Sequence, residues 1–285
     1  MNNNSKKYMV FTDLDGTLLD HDTYSFQEAE PALQRLKNLN IPLIPATSKT
    51  LAEVEVLLKE MEMLSPVIVE NGGAIAIPAN FDLYSNKHNE EAVKFDLIYL
   101  SKPYRVIIEV LNKIREKFDF QFRGFNDMSV SEIADVTGLS QSQAQNAKQR
   151  LCSEPIMWCD SEEKLTSFIT VLQKFQFRVT RGGRFFHVMG EIDKSDAMEK
   201  VVKRYRQFST EDFTIIVLGD SPNDISMLCA ADIGVVIRKK DQSCLSIESD
   251  KQIYTTQLAG PAGWNEFFLW LLDENKTEKP GASNG

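Results

Sequence analysis

Tyr8-Met9-Val10-Phe11-Thr12-Asp13-Leu14-Asp15-Gly16-Thr17 joins an apolar run to two acids and a glycine. The run reads as a buried strand. Its carboxylates therefore arrive at a strand's C-terminal end, where open α/β sheets place their sites. Residues two apart on a strand point the same way, but Gly16 breaks the strand. The strand end can then present one Asp side chain, one backbone carbonyl and a second Asp side chain to a shared centre. Two acids held together at neutral pH repel each other unless a cation or a shared proton relieves them. Such an oxygen-rich site suits Mg²⁺. Asp and Gly are also ordinary turn residues, so this stretch alone leaves a surface turn open.

Three further segments extend the pattern. The strand Ile41-Pro42-Leu43-Ile44-Pro45-Ala46 ends at the hydroxyl of Thr47. Lys194 opens the helical stretch Lys194-Ser195-Asp196-Ala197-Met198. The strand Ile215-Ile216-Val217-Leu218 runs into Gly219-Asp220-Ser221-Pro222-Asn223-Asp224. Ser221 reads as an N-cap and Pro222 as the first helical residue. That fixes Asp220 at the strand end, with Asn223 and Asp224 in the first turn. In this order the four segments resemble the motifs of the haloacid dehalogenase (HAD) phosphatase superfamily.

Composition bounds the class. The 285 residues can hold a sizeable core and predict two domains, and the 42% hydrophobic and 26% charged content is that of an ordinary globular chain. A net charge of −9 argues against nucleic acid or an anionic membrane as partner. An anionic substrate would need a local basic pocket. Cys152, Cys159, Cys229 and Cys244 show no metal-ligand spacing, and the start Met1-Asn2-Asn3-Asn4-Ser5-Lys6-Lys7 has no apolar signal core. Reduced thiols and a cytoplasmic protein are expected. The polar tail from Asn275 to Gly285 is expected to be disordered.

Organisation follows from periodicity. Residues 8 to 80 and 194 to 270 alternate apolar strands with helical runs, which implies parallel βαβ units and a Rossmann-like α/β core. Residues between them break the rhythm. Tyr104 to Phe118 is an amphipathic helix, and Asp160 to Phe175 is another, with Asp160 and Glu163 at capping-box spacing. Phe177 to Thr180 and Phe185 to Met189 read as a hairpin turned at Gly182-Gly183. An α+β insert at this place resembles the type IIB cap of HAD phosphatases. The expected division is a core of 1–80 and 190–285 with a cap domain of 81–189.

The superfamily resemblance implies a phosphatase working through an aspartyl-phosphate intermediate. Asp13 would attack phosphorus, and Asp15 would protonate the leaving alcohol and then deprotonate the attacking water. Mg²⁺ would be held by Asp13, the Asp15 backbone carbonyl and Asp220. Thr47 would hydrogen-bond the phosphate, and Lys194 would pair with nucleophile and phosphate. Asn223 and Asp224 would orient Lys194 or the metal's waters.

Further segments resemble one branch, the mannosyl-3-phosphoglycerate phosphatases. They are Ala46-Thr47-Ser48-Lys49-Thr50 with Val69-Glu70-Asn71-Gly72-Gly73, then Gly124-Phe125-Asn126-Asp127-Met128 through Arg150 to Ser153-Glu154-Pro155, and Arg181-Gly182-Gly183-Arg184-Phe185-Phe186-His187. Lys194 follows Asp193 where the third motif often has glycine. The implied reaction converts mannosyl-3-phosphoglycerate to mannosylglycerate, a compatible solute, and phosphate. Alternatives are the glucosyl analogue, a hexose phosphate, a phosphotransferase of the same fold, or a non-catalytic binding module. The substrate carries a phosphate, a carboxylate and hydroxyls, so Lys49, Arg150, Arg181, Arg184 and His187 are binding candidates. Each has a plainer reading: Lys49 as a helix-start lysine, Arg150 as a helix-dipole partner, the two arginines as a solvated turn, His187 as a core residue. Asn71 is either a substrate contact or part of a tight turn.

Overall fold

The computed structural model describes residues 7–79, 94–182, 184–208 and 212–273. Gly183 and the tail from 275 lie outside them. The chain opens with β1 (Lys7–Thr12), α1 (Glu30–Asn38), β2 (Leu43–Pro45), α2 (Leu51–Glu60), β3 (Val67–Val69), β4 (Ala74–Pro78) and β5 (Phe95–Tyr99). There follow α3 (Tyr104–Phe118), β6 (Phe122–Gly124), α4 (Val130–Thr137), α5 (Gln141–Ala147), β7 (Ser153–Trp158), α6 (Glu162–Gln173), β8 (Phe177–Gly182) and β9 (Phe185–Gly190). It closes with α7 (Lys194–Phe208), β10 (Phe213–Gly219), α8 (Ile225–Ala230), β11 (Ile233–Arg238), β12 (Gln252–Ala259) and α9 (Gly260–Leu271).

The central sheet has the order β12-β11-β10-β1-β2, every pair parallel. Both its faces are covered, as parallel sheets require. Val10 points into one core with Leu36, Val54 and Trp264, whereas Met9 and Phe11 point into the other with Met198, Val201 and Met227. This alternation on one strand makes a three-layer α/β/α body. Trp264 ties the last helix to the first strand by donating from Nε1 to Thr12 Oγ1 at 3.1 Å.

Two sheets depart from the simple alternation. β3 turns at Asn71–Gly73 into β4 and pairs antiparallel with it, and β4 pairs antiparallel with β5. Asn71 and Gly72, both at positive φ, turn the chain back at once, which leaves no crossover for a parallel partner. The bridge Ala46–Ile68 joins this sheet to the end of β2. The second is the antiparallel sheet β6-β7-β9-β8. α3 and α6 cover one of its faces, with Ile107, Leu111, Phe168 and Leu172 packed on Ile156, Phe177 and Val188. The cap of α6 is Ser161, whose side chain accepts from Lys164 N, and not Asp160. Asp160 accepts from the Ser161 and Gln121 amides and pairs with Lys164.

None of the four cysteines is disulfide-bonded. Among the described residues no helix is long and apolar enough to cross a membrane.

Candidate active site

Three parallel strands end side by side and set the floor of the site. Asp13 follows β1, and its amide donates to Leu218 O of β10 at 2.9 Å. Thr47 follows β2, held because Ala46 N donates to Thr12 O at 2.8 Å and Thr47 N to Ile68 O at 2.9 Å. Asp220 follows β10 directly. The turn after Asp13 is closed by Gly16 N donating to Leu19 O and Leu19 N to Leu14 O. Gly16 sits at φ +79, and a Cβ there would lie 3.0 Å from Asp220 Oδ2. Glycine is thus needed for both the turn and the approach of the second carboxylate.

Lys194 sits at the start of α7, wholly buried. Its ammonium donates to Asp13 Oδ1 at 2.6 Å and to Asp224 Oδ1 at 2.7 Å. The residue before it, Asp193, caps the helix: its Oδ1 accepts from Ser195 N, Ser195 Oγ and Asp196 N. An aspartate in place of glycine is explained by that cap. Asp224 uses its other oxygen, Oδ2, to accept from the amides of Asp220 at 3.2 Å and Ser221 at 3.0 Å. Ser221 takes the N-cap position and Pro222 the first of the turn, as expected, with the Ser221 amide held by Asp224. The Ser221 hydroxyl donates to Asp220 Oδ1 at 3.0 Å, because Asp224 already holds the turn from the opposite side.

Ligand oxygens of Asp13, Asp220 and Asp224 all lie within 4.8 Å of one another. Burial pushes the Asp13 carboxyl well above its usual range; Lys194 offsets this only in part, and Asp224 adds to it. Burial and then Asp224 push Asp220 up as well. Burial works against the Lys194 ammonium, but attraction to Asp13 and Asp224 outweighs it and holds its pKa up. Three packed carboxylates thus meet one buried lysine, Lys194, and a second, Lys239, that reaches Asp220 from the rim at 3.7 Å. The excess negative charge on hard oxygen donors fits a small divalent cation.

Asp15 stands at the rim of this cluster and lines the cleft. Its Oδ1 lies 3.0 Å from Lys49 Nζ, and Lys49 also sits 4.7 Å over the Tyr24 ring. Asn71 and Asn223, from different motifs, meet: Asn223 Nδ2 donates to Asn71 Oδ1 at 2.8 Å.

The floor opens into a cleft of about 1330 Å³, whose other wall is the open face of β8 and β9. Strand periodicity puts Val179 and Val188 into the core under α3 and α6, and Arg178, Thr180 and His187 into the cleft. Arg181 lines the cleft too, exposed beside Phe186. Two candidates are turned elsewhere. Arg184 donates to Val136 O at 2.8 Å. The Arg150 guanidinium is buried, with Nη2 donating to Ser153 Oγ at 2.6 Å and to Ser48 O at 3.4 Å. The imidazole of His187 is pushed down to about 4 by burial and then by Arg150, so it is neutral at neutral pH.

Sequence reasoning passed over Arg178, Lys239 and Glu70. Arg178 reaches the cleft half-buried, and its Nε has no hydrogen-bond partner among the described residues. Its signal was available, since it lies two residues before Thr180 on a strand whose intervening Val179 is apolar. Lys239 Nζ comes within 3.7 Å of Asp220 Oδ2 from the end of β11, which no local pattern announces.

Residues 10–250 match the family model described as haloacid dehalogenase-like hydrolase. A protein of Methanococcoides burtonii named glucosyl-3-phosphoglycerate/mannosyl-3-phosphoglycerate phosphatase is 40% identical over 274 residues, covering 94% of this chain and 98% of the relative. One of the same name from Persephonella marina is 38% identical over 267 residues, covering 93% and 97%. Among solved structures, a Thermoplasma acidophilum protein has the same fold, with a TM-score of 0.63 at 16% identity over 93% of this chain and 97% of that one. A model matched over most of the chain and two relatives matched from end to end lead to one conclusion: the chain belongs to the haloacid dehalogenase-like hydrolase family.

Proposed function

We propose that this chain is a Mg²⁺-dependent phosphatase that hydrolyses mannosyl-3-phosphoglycerate, and its glucosyl analogue, through a phosphoryl group carried on Asp13. The observation that carries the reading is the Lys194 ammonium bound to Asp13 at the end of β1, beneath a cleft with cationic side chains on its far wall. The names of the two relatives support the substrate.

Asp13 Oδ1 is held by Lys194, which leaves Oδ2 to attack phosphorus. A bond forms between Oδ2 and phosphorus while the ester P–O bond breaks. Asp15, beside the cleft, gives its proton to the departing alkoxide oxygen and then takes one from the water that releases phosphate. Two of the three Lys194 protons go to Asp13 and Asp224, so the third can reach a phosphoryl oxygen. Thr47 Oγ1 accepts from Lys49 N at 3.2 Å, which leaves its own hydroxyl proton for another. Asp13, Asp220 and the Asp15 carbonyl would hold Mg²⁺, which when bound offsets charge on the transferring group. Residues 81–189 act as the specificity domain: Arg178, Arg181, Thr180 and His187 face the glycerate carboxylate and the sugar hydroxyls.

The test is phosphate release with Mg²⁺ from mannosyl-3-phosphoglycerate, glucosyl-3-phosphoglycerate, 3-phosphoglycerate and hexose phosphates, with Asp13→Asn as control. Preference for the glycosyl phosphoglycerates, lost in the variant, is expected. Preference for hexose phosphates would overturn the substrate, and release by Asp13→Asn at the wild-type rate would overturn the nucleophile.

A further inference from the structure

Glu70 carries a carboxylate with no surface exposure, in a turn that the proposed chemistry does not use. It follows β3 in the left-handed region at φ 50, and Asn71 follows at φ 56. Two consecutive residues other than glycine in that region are strained unless their surroundings fix them. On one side the turn is laced to the residues around Thr47: Glu70 N donates to Lys49 O at 3.0 Å and Asn71 N to Thr47 O at 2.9 Å. On another it lies under the start of α7, where a Cβ on Gly72 would fall 2.1 Å from Asp193 O.

The carboxylate points the third way, to the segment that leads into β7. It accepts from Leu151 N at 2.6 Å, Cys152 N at 3.0 Å and Ser153 Oγ at 2.7 Å, with Arg150 Nε at 3.6 Å. Arg150 completes the lacing by donating to Ser48 O. β7 is paired to β9, and β9 to β8. The cleft face bearing His187 on β9, and Arg178 and Thr180 on β8, is therefore joined to Glu70 through the ladder β7-β9-β8.

We infer that Glu70 is the positioning residue that sets the angle of the β6–β9 sheet over the Asp13 centre, and so holds the wall that reads the leaving group. A carboxylate suits this place because it only accepts, and three donors converge on it. An amide there would turn a donor against one of the backbone N–H groups. The wall's substrate rests on the function proposed above; the joint itself does not.

The experiment compares wild type, Glu70→Gln and the milder Ser153→Ala on two esters, mannosyl-3-phosphoglycerate, which reaches the wall, and p-nitrophenyl phosphate, which carries no glycerate or sugar. Amide hydrogen exchange at Leu151 and Cys152 is followed in parallel. The expected result is KM for the glycosyl ester raised about tenfold or more in Glu70→Gln, less in Ser153→Ala, with kcat and the small ester changed by about twofold at most. Faster exchange at Leu151 and Cys152 should accompany it. An equal loss on both esters, or unchanged KM with unchanged exchange, would overturn the joint. If wild type instead prefers a hexose phosphate, the substrate reading fails, and the same comparison with that ester still decides the role of Glu70.

Discussion

The Lys194 ammonium lies 2.6 Å from Asp13 Oδ1, and the two side chains are 0% and 9% exposed. Such a pair is held by its own geometry: each charge would be strongly disfavoured in that place without the other. Removing the lysine should therefore affect stability and chemistry together. Lys194→Met is expected to lower stability by about 3–5 kcal/mol and kcat by at least about a hundredfold. Chemical denaturation and phosphate release check the two effects.

Asp224 should separate them. Asp224→Asn keeps an oxygen for the Asp220 and Ser221 amides but weakens the hold on Lys194. The expected outcome is a kcat loss of about a hundredfold with a stability loss smaller than that of Lys194→Met. Equal losses in both variants would contradict the division of labour between the two Asp224 oxygens.

The acidic trio predicts that a divalent cation stabilises the fold. Thermal unfolding after chelation, then with Mg²⁺ restored, should show a rise equivalent to about 2.7 kcal/mol at a hundredfold excess over Kd. Asp220→Asn should largely remove the rise. A variant that still responds fully would place the cation elsewhere.

Much of this was legible in the sequence. Short apolar runs ending in Asp13, Thr47 and Asp220 announce strand ends, since a buried parallel strand leaves little other reading. Lys194 at the start of α7 was legible only through its order among the four motifs, since a helix-start lysine by itself reads as solvated. What escaped depends on partners distant in sequence. Glu70 reads as part of a turn, and its donors lie at 151–153. β12 mixes Gln, Tyr and Thr at the sheet edge, with little of the apolar run that marks a central strand. Arg181 and Arg184 flank the same glycines, yet only one faces the cleft, because Arg184 finds the carbonyl of Val136.

That difference can be measured. Arg181→Ala should raise KM for a glycosyl phosphoglycerate about tenfold, and Arg184→Ala should leave it within about twofold. The reverse order would contradict the orientation of the two side chains.

Two buried groups on the paired strands β7 and β9 should oppose each other with pH. Burial pushes the Glu154 carboxyl from 4.5 up to about 7, against the pull of the Asn126 amide and the Tyr104 hydroxyl. The folded chain then holds that proton more tightly than the unfolded one. The associated stability is present below pH 4.5 and is lost as pH rises through about 7, by up to about 3 kcal/mol. His187, lowered from 6.5 to about 4, acts the other way and loses stability as pH falls from 6.5 to about 4. Glu154→Gln removes one of the pair. Its stability relative to wild type should climb from pH 5 to about 7 and then level off, read by denaturant unfolding at each pH (about 3 kcal/mol at most). A difference that does not change with pH would contradict the shift.

The central claim is that Asp13, cradled by Lys194, takes the phosphoryl group from a glycosyl phosphoglycerate. The most direct measurement is rapid acid quench of the enzyme turning over mannosyl-3-phosphoglycerate with Mg²⁺, followed by mass spectrometry of the peptide containing Asp13. A phosphoryl group on Asp13, absent from Asp13→Asn, is predicted. Turnover of that substrate with Asp13 unmodified at every time point would contradict the account.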